Sequence, residues 1–182
     1  MTSSLIKLID YALLPLVLII LGKVLGVYVV SALFGVELGV SQGGSYLPFQ
    51  PAVPAQDLQT VSSYSDLFMF AVIATGFSFI LVSALKLHDT HIDVKTVTML
   101  AKFNLLSLMK TTYELYHAGA IWIIFVWLAT AVILLNALTG ATYWWVFVFA
   151  LVFSLSTTIA LLRDLFAEIN AARDAVFKRG YI

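Results

Sequence analysis

Residues 118–138 read AGAIWIIFVWLATAVILLNAL, and residues 142–162 read TYWWVFVFALVFSLSTTIALL. Each run has about the 20 predominantly apolar residues that a helix needs to cross about 30 Å of hydrocarbon. Only Thr139, Gly140 and Ala141 separate the two runs. A connection this short predicts two helices that pack side by side in opposite directions.

Two further apolar runs precede this pair, at residues 5–34 and 67–85. The chain has 182 residues, of which 62% are hydrophobic and 11% are charged. Soluble proteins are typically about 45–50% apolar and about 25% charged, and a soluble domain of this length has no means of hiding so much apolar surface. The sequence therefore predicts an all-α integral membrane protein, a four-helix bundle whose four transmembrane spans form one domain over residues 1–182.

The basic residues fall on one side of this pattern. Residues 35–66, between spans one and two, contain no lysine or arginine, and neither does the turn between spans three and four. The positive-inside rule then predicts a multi-pass protein of the plasma (inner) membrane with both termini in the cytoplasm. The cations on the predicted cytoplasmic side, beyond the N-terminal Lys7, are Lys86, Lys95, Lys102 and Lys110 after span two, and Arg163, Arg173, Lys178 and Arg179 after span four.

Helices are also expected outside the membrane. Apolar residues at helical spacing predict a cytoplasmic helix over residues 90–115 and a C-terminal helix over residues 163–179. If spans three and four are antiparallel neighbours, these extensions lie side by side. The register then predicts two cytoplasmic ion pairs, Glu114 with Arg163 and Lys110 with Glu168.

Residues 35–66 are predicted to form an external loop. Pro48, Pro51 and Pro54 recur every third residue, which places them along one edge of a polyproline II segment. The loop is either a solvated tether or a docking surface for an extracytoplasmic partner. Ser65 or Asp66 is expected to cap the helix of span two.

Lys23 is a charge within the first apolar run. It lies about 24 Å beyond Lys7 along a straight helix, and a charge at the bilayer centre costs at least about 2.5–3.5 kcal/mol. We therefore expect its side chain to face another helix, a subunit interface or a hydrated cavity. If the helix instead breaks near Gly22, Lys23 marks the outer interface and needs no partner.

One G-x-x-x-G pattern, Gly22 with Gly26, frames this lysine, and a second, Gly35 with Gly39, follows it. Small residues four apart allow another backbone to approach closely in membranes. The glycines therefore predict helix packing, either against a neighbouring helix of the same chain or against another chain.

Five residues are candidates for a metal site. They form two groups, one at the end of span two and one before span three. A joint site is conceivable because both groups lie on the predicted cytoplasmic side, but a di-iron bundle needs two Glu-x-x-His pairs and further glutamates. This chain has one such pair, and helix capping and interfacial anchoring are the alternative roles. No cofactor is expected. The candidates are His88, His91 and Asp93 at the end of span two, and Glu114 and His117 before span three.

Three classes of function remain open. The first is a non-enzymatic subunit or scaffold of a larger membrane assembly, since no catalytic motif and no cysteine is present. The second is a small oligomeric channel or transporter, suggested by Lys23 and the hydroxyls of Ser154, Ser156, Thr157 and Thr158. The third is a metal-dependent membrane enzyme. The expected partners are the lipid bilayer and either other membrane subunits or further copies of the chain; a net charge of zero suggests no nucleic acid.

Overall fold

The part of the chain that the structure describes forms a bundle of four long helices, which confirms the predicted all-α fold. In a computed structural model, the described residues are 2–40, 51–86, 98, 102–103 and 112–179. Each of the four helices is long and apolar enough to cross a membrane. Their bounds are α1 (Thr2–Phe34), α2 (Leu58–Lys86), α3 (Thr112–Leu138) and α4 (Trp144–Arg179).

The helices alternate in direction, so the bundle has two distinct ends. The loop end carries the turn 139–143 and the connection between α1 and α2, and the terminal end carries both chain termini. Gly140 has a φ of 76°, a left-handed conformation that glycine adopts without steric cost and that lets the turn reverse. In the α1–α2 connection, Gly39–Val40 (β1) pairs antiparallel with Pro51–Ala52 (β2).

The hydrophobic core lies between α2, α3 and α4. Phe70 of α2 makes edge-to-face contacts with Phe149 at 6.3 Å and Phe153 at 5.6 Å between ring centroids. Such contacts add to the stabilisation that comes from burying the rings. The other buried members of this core are Met69, Ile73, Ala74 and Phe77 of α2, Trp122, Val126, Ala129 and Ile133 of α3, and Val146 and Ala150 of α4.

The helix α2 begins earlier than the sequence suggested. It starts at Leu58, so the last part of the predicted external loop is helical, and the prediction that Ser65 or Asp66 caps span two is wrong. The Ser65 hydroxyl donates to the carbonyl of Ser62 at 2.9 Å. A serine that bonds back to its own helix in this way is accommodated within the helix instead of ending it.

The second glycine pair is not a helix-packing motif, contrary to the prediction. α1 ends at Phe34, and Gly35 follows with a φ of 65°. The amide of Val36 donates to the carbonyl of Ser31 at 2.9 Å, the long-range bond of a Schellman helix end. Gly35 therefore terminates α1, and Gly39 lies beyond the helix in β1.

Candidate functional site

A cluster of polar side chains lies inside the bundle at the loop end. At its centre the ammonium of Lys23 meets the carboxylate of Asp66, whose side chain has no exposed surface, whereas 33% of the Lys23 side chain is exposed. The cluster, called the Lys23–Asp66 cluster below, comprises Lys23 of α1, Ser62, Ser65 and Asp66 of α2, Asn136 of α3 and Thr142 of the turn.

Lys23 directs its ammonium at α2. Nζ donates to Oδ1 of Asp66 at 2.5 Å, to Oγ of Ser65 at 2.8 Å and to the carbonyl of Ser62 at 3.3 Å. A lysine has three donor hydrogens, so each has an acceptor on α2. The α1 helix continues through this region without a break, and the lysine therefore faces another helix, one of the environments expected for it.

Asp66 uses its second oxygen to bind α3 and the turn that leads into α4. Oδ2 accepts from the hydroxyl of Thr142 at 2.5 Å and from Nδ2 of Asn136 at 2.9 Å. One carboxylate thus joins α1, α2, the end of α3 and the turn that leads into α4. Removing a charge from water is costly unless it is paired and further hydrogen-bonded, and Asp66 meets both conditions.

Glycines bring α1 close enough to α2 for this contact. A Cβ atom on Gly22 would lie 3.1 Å from Cα of Met69, and one on Gly26 would lie 3.0 Å from the carbonyl oxygen of Ser65. Both distances are tighter than ordinary van der Waals contact, so a larger residue would separate the helices. Here the first G-x-x-x-G pattern packs against a neighbouring helix of the same chain.

Hydroxyl groups extend the polar cluster to the start of α4. The amide of Tyr143 donates to Oγ of Ser63 at 2.8 Å, and the Tyr143 hydroxyl lies 3.3 Å from that of Thr60. Ser62 and Thr142 are 3.4 Å apart between hydroxyl oxygens. The first two turns of α2 are therefore bonded to the α3–α4 connection along one face.

The chemistry of this cluster suits a structural role, in which it holds the helices together. The pair is neutral overall, every donor of Lys23 has an acceptor in the protein, and Asp66 accepts from three different residues. A buried network in which all members are satisfied rigidifies its surroundings. Ionisable residues within membrane spans also mark functional sites by default, which makes this cluster the strongest site within the described residues.

The candidate metal ligands lie at the terminal end. His88, His91 and Asp93 fall outside the described residues, and within those residues no three metal-binding side chains form a group. The ring of His117 contacts that of Tyr11 edge-on, with 6.2 Å between centroids. Glu114 precedes it by one helical turn on α3. The metal site remains a prediction.

The ion-pair register is tested only indirectly. The hydroxyl of Tyr116 donates to Oδ2 of Asp164 at 2.5 Å, so the stretches of α3 and α4 that hold Glu114 and Arg163 adjoin each other. Lys110 lies outside the described residues, and its pairing with Glu168 stays a prediction, as does that of Glu114 with Arg163.

The hydroxyls of span four contribute to helix packing. Ser154 and Thr130 lie 2.8 Å apart between buried hydroxyl oxygens, and Nε1 of Trp127 donates to Thr158 at 3.1 Å. Thr157 donates back to the carbonyl of Phe153 at 2.8 Å. Interhelical bonding and back-bonding of this kind are the common roles of serine and threonine in membranes.

A partly open groove of about 500 Å³ lies in the half of the bundle near the termini. It runs between α1 and α3, with α2 as its floor, and it is lined mainly by apolar side chains. The lining residues are Tyr11, Leu14 and Leu18 of α1, Thr75, Gly76, Phe79, Ile80 and Ser83 of α2, and Leu115, Ala118 and Trp122 of α3.

The sequence predicts Asp66 only as a possible helix cap, whereas the structure places it at the centre of the cluster. The available signal was an acid directly before an apolar span, in a chain with a lysine inside another span. The sequence around Asn136, near the end of α3, likewise predicts no partner for it. Neither pairing has a sequence signature, because the partners are 43 and 70 residues from Asp66.

No protein-family model matches this chain, and neither does any curated protein or solved structure at a significant level. The functional interpretation therefore depends on the geometry of the bundle itself.

Proposed function

We propose that this chain is a non-enzymatic subunit of a larger membrane assembly, in a plasma membrane and with both termini in the cytoplasm. The helix α4 has 36 residues. At 1.5 Å per residue it is about 54 Å long, against about 30 Å of hydrocarbon. Counted from Trp144, the hydrocarbon ends near Arg163, the first charged residue of the helix. The remainder of α4 extends beyond the membrane core.

The observation that carries the proposal is an exposed apolar stripe on this extension. Phe166 and Ile169, beyond Arg163, are 61% and 53% exposed, and Leu162, at the edge of the hydrocarbon, is 44% exposed. Their spacing places them on one face of the helix. Beyond the lipid, an exposed apolar face of this kind typically marks a contact with another protein or with the membrane surface. A partner subunit or a second copy of the chain would cover it.

The polar groups of the spans support a structural role over conduction. A channel needs polar side chains that face a common lumen. In the described spans, the hydroxyls of Thr130 and Ser154 bond to each other across α3 and α4. Lys23 is bonded to α2. The channel or transporter remains the alternative, and its best support is the buried charge of Asp66.

The proposal is tested by the size of the particle released under mild extraction. We expect the wild-type particle to exceed the 20.0 kDa of one chain after its detergent or nanodisc contribution is subtracted. Phe166→Glu should reduce it to one chain while the thermal stability of the bundle stays unchanged, because the stripe lies outside the core. Light scattering gives the mass, and mass spectrometry identifies any copurifying protein.

Ala171→Glu is the matched control. Ala171 is exposed on the same extension, and it lies about 140° from Phe166 and about 160° from Ile169 around the helix. The Ala171→Glu substitution adds the same charge on the opposite face of the helix and should leave the particle intact. A wild-type particle of a single chain, or equal losses in both variants, would contradict the proposal.

A further inference from the structure

We propose that the groove between α1 and α3 binds an anionic phospholipid, with an acyl chain lying against α2. This inference is independent of the proposed subunit role, because the groove and the α4 stripe share no residue, but its leaflet rests on the proposed orientation. It assigns the groove a ligand class and a leaflet.

The size of the groove favours an acyl chain over a partner helix. On α1 the lining runs from Tyr11 to Leu18, and on α3 from Leu115 to Trp122, which gives a length of about 10 Å at 1.5 Å per residue. A helix about 10 Å wide would occupy on the order of 800 Å³ over this length. The groove offers about 500 Å³, within the range of roughly 300–1,000 Å³ that is usual for small-molecule sites.

The floor of the groove is set by a glycine. A Cβ atom on Gly76 would lie 2.5 Å from the ring carbons of Trp122, so the absence of a side chain at this position lets the ring lie directly against α2. Trp122 is only 4% exposed. The indole therefore packs against the floor, and the space beside α1 stays open.

The lining has the chemistry of a site for hydrocarbon. Its two aliphatic hydroxyls donate to their own helix, Thr75 to the carbonyl of Ala71 at 2.7 Å and Ser83 to that of Phe79 at 2.8 Å. A polar substrate would find these donors already engaged. An acyl chain needs none, and it can reach the groove from the bilayer because Leu14 and Phe79 of the lining are 55% and 63% exposed.

Two lysine positions near the groove favour a lipid with an anionic headgroup. The faces of α1 and α2 that line the groove continue one helical turn beyond Tyr11 and Ser83 to positions 7 and 86, and both hold lysine. Each lysine near a membrane surface favours an anionic lipid by about fivefold. The positive-inside pattern assigns this end to the cytoplasm, where anionic lipids are concentrated.

The experiment uses the full chain in nanodiscs of phosphatidylcholine. Trace amounts of phosphatidylglycerol or phosphatidylcholine that carry a photoactivatable group on one acyl chain are added, and cross-links are mapped by mass spectrometry. We expect labels on peptides that contain Leu14, Phe79 and Trp122, with labelling by the phosphatidylglycerol probe at least about fivefold stronger. Uniform labelling around the bundle, or equal labelling by both probes, would overturn the proposal.

Two neighbouring leucines provide the matched variants. Leu13 and Leu14 are 54% and 55% exposed, but only Leu14 lines the groove. Leu14→Trp should fill the groove and remove most of the labelling, whereas Leu13→Trp should leave it unchanged. Lys7→Gln with Lys86→Gln should bring the phosphatidylglycerol signal down to the phosphatidylcholine level. Equal effects of the two tryptophans, or a cross-link from the groove to a second polypeptide, would show that a lipid is not the occupant.

Discussion

The ammonium of Lys23 lies 2.5 Å from Oδ1 of Asp66, a carboxylate with no exposed surface. The two residues are 43 positions apart and belong to antiparallel helices. Because Asp66 also accepts from Asn136 and Thr142, the pair is the point where α1, α2, α3 and the α3–α4 turn meet. Without Lys23, the buried carboxylate of Asp66 would lack a counter-charge, whereas Lys23 is 33% exposed and depends less on its partner.

Neutralising Asp66 should therefore destabilise the bundle. We expect Asp66→Asn to lower the free energy of unfolding by about 3 kcal/mol, at the low end of the range for a broken buried pair because Lys23 is partly exposed. Lys23→Leu should have a similar cost, and the double variant should cost less than the sum of the two. Unfolding in mixed micelles of detergent and dodecyl sulfate gives the three values for a double-mutant cycle.

The exposed pair of Arg173 and Asp174 provides the control for charge removal. Their side chains are 64% and 66% exposed, and the ion pair has a separation of 3.7 Å. Asp174→Asn should change the unfolding free energy by no more than about 1 kcal/mol. An equally small change for Asp66→Asn would mean that the Lys23–Asp66 cluster does not hold the helices together.

A larger residue at Gly26 should separate α1 from α2. Its Cβ would lie 3.0 Å from a backbone oxygen of Ser65, and backbone does not move aside cheaply. We expect Gly26→Leu to cost about 1–3 kcal/mol of stability, as overpacking typically does. Ala32→Leu, at an exposed position on the same helix, should be close to neutral. If both variants unfold at the same dodecyl sulfate fraction, the close approach of the two helices contributes no stability.

The bond from Tyr116 to Asp164 should stabilise the terminal end. Tyr116→Phe removes only the hydroxyl that donates at 2.5 Å, and a hydrogen bond to a charged acceptor is worth about 1.5–3 kcal/mol. Tyr28→Phe, at a ring that is 50% exposed, is the matched control and should be neutral. Comparable thermal shifts for the two variants would contradict a specific role for this bond.

The predicted pair of Glu114 and Arg163 should be weak by comparison. A double-mutant cycle with Glu114→Gln and Arg163→Gln should give a coupling of no more than about 1 kcal/mol, the usual value for exposed ion pairs. A coupling of several kcal/mol would instead point to a buried pair.

The orientation in the membrane is tested with single cysteines, since the chain has none of its own. A cysteine at Gly44 should react with a membrane-impermeant maleimide added outside intact cells, because the lysine and arginine pattern places this loop outside. A cysteine at Thr98 should react only after the cells are opened. The opposite result would reverse the proposed topology.

Local sequence determined the class of this protein. A bilayer supplies no hydrogen bonds to the backbone, so an apolar run of sufficient length must be a helix or part of a closed barrel. The runs at residues 118–138 and 142–162, joined by a three-residue turn, therefore predicted α3 and α4 as antiparallel neighbours. Gly22 and Gly26 predicted a close backbone contact, but not whether the neighbour belonged to the same chain.

Only the tertiary structure decided which groups meet inside the bundle. The partner of Lys23 depends on the rotation and depth of α2, and the serines and tyrosine that precede Asp66 predict a helix start at this position. α2 nevertheless begins at Leu58, with those serines bonded back to their own helix, so Asp66 lies inside it. Likewise, Gly35 and Gly39 have the spacing of a packing motif, but the positive φ of Gly35 ends the helix before the motif begins. Contacts between residues far apart in sequence follow from packing, and local spacing does not contain that information.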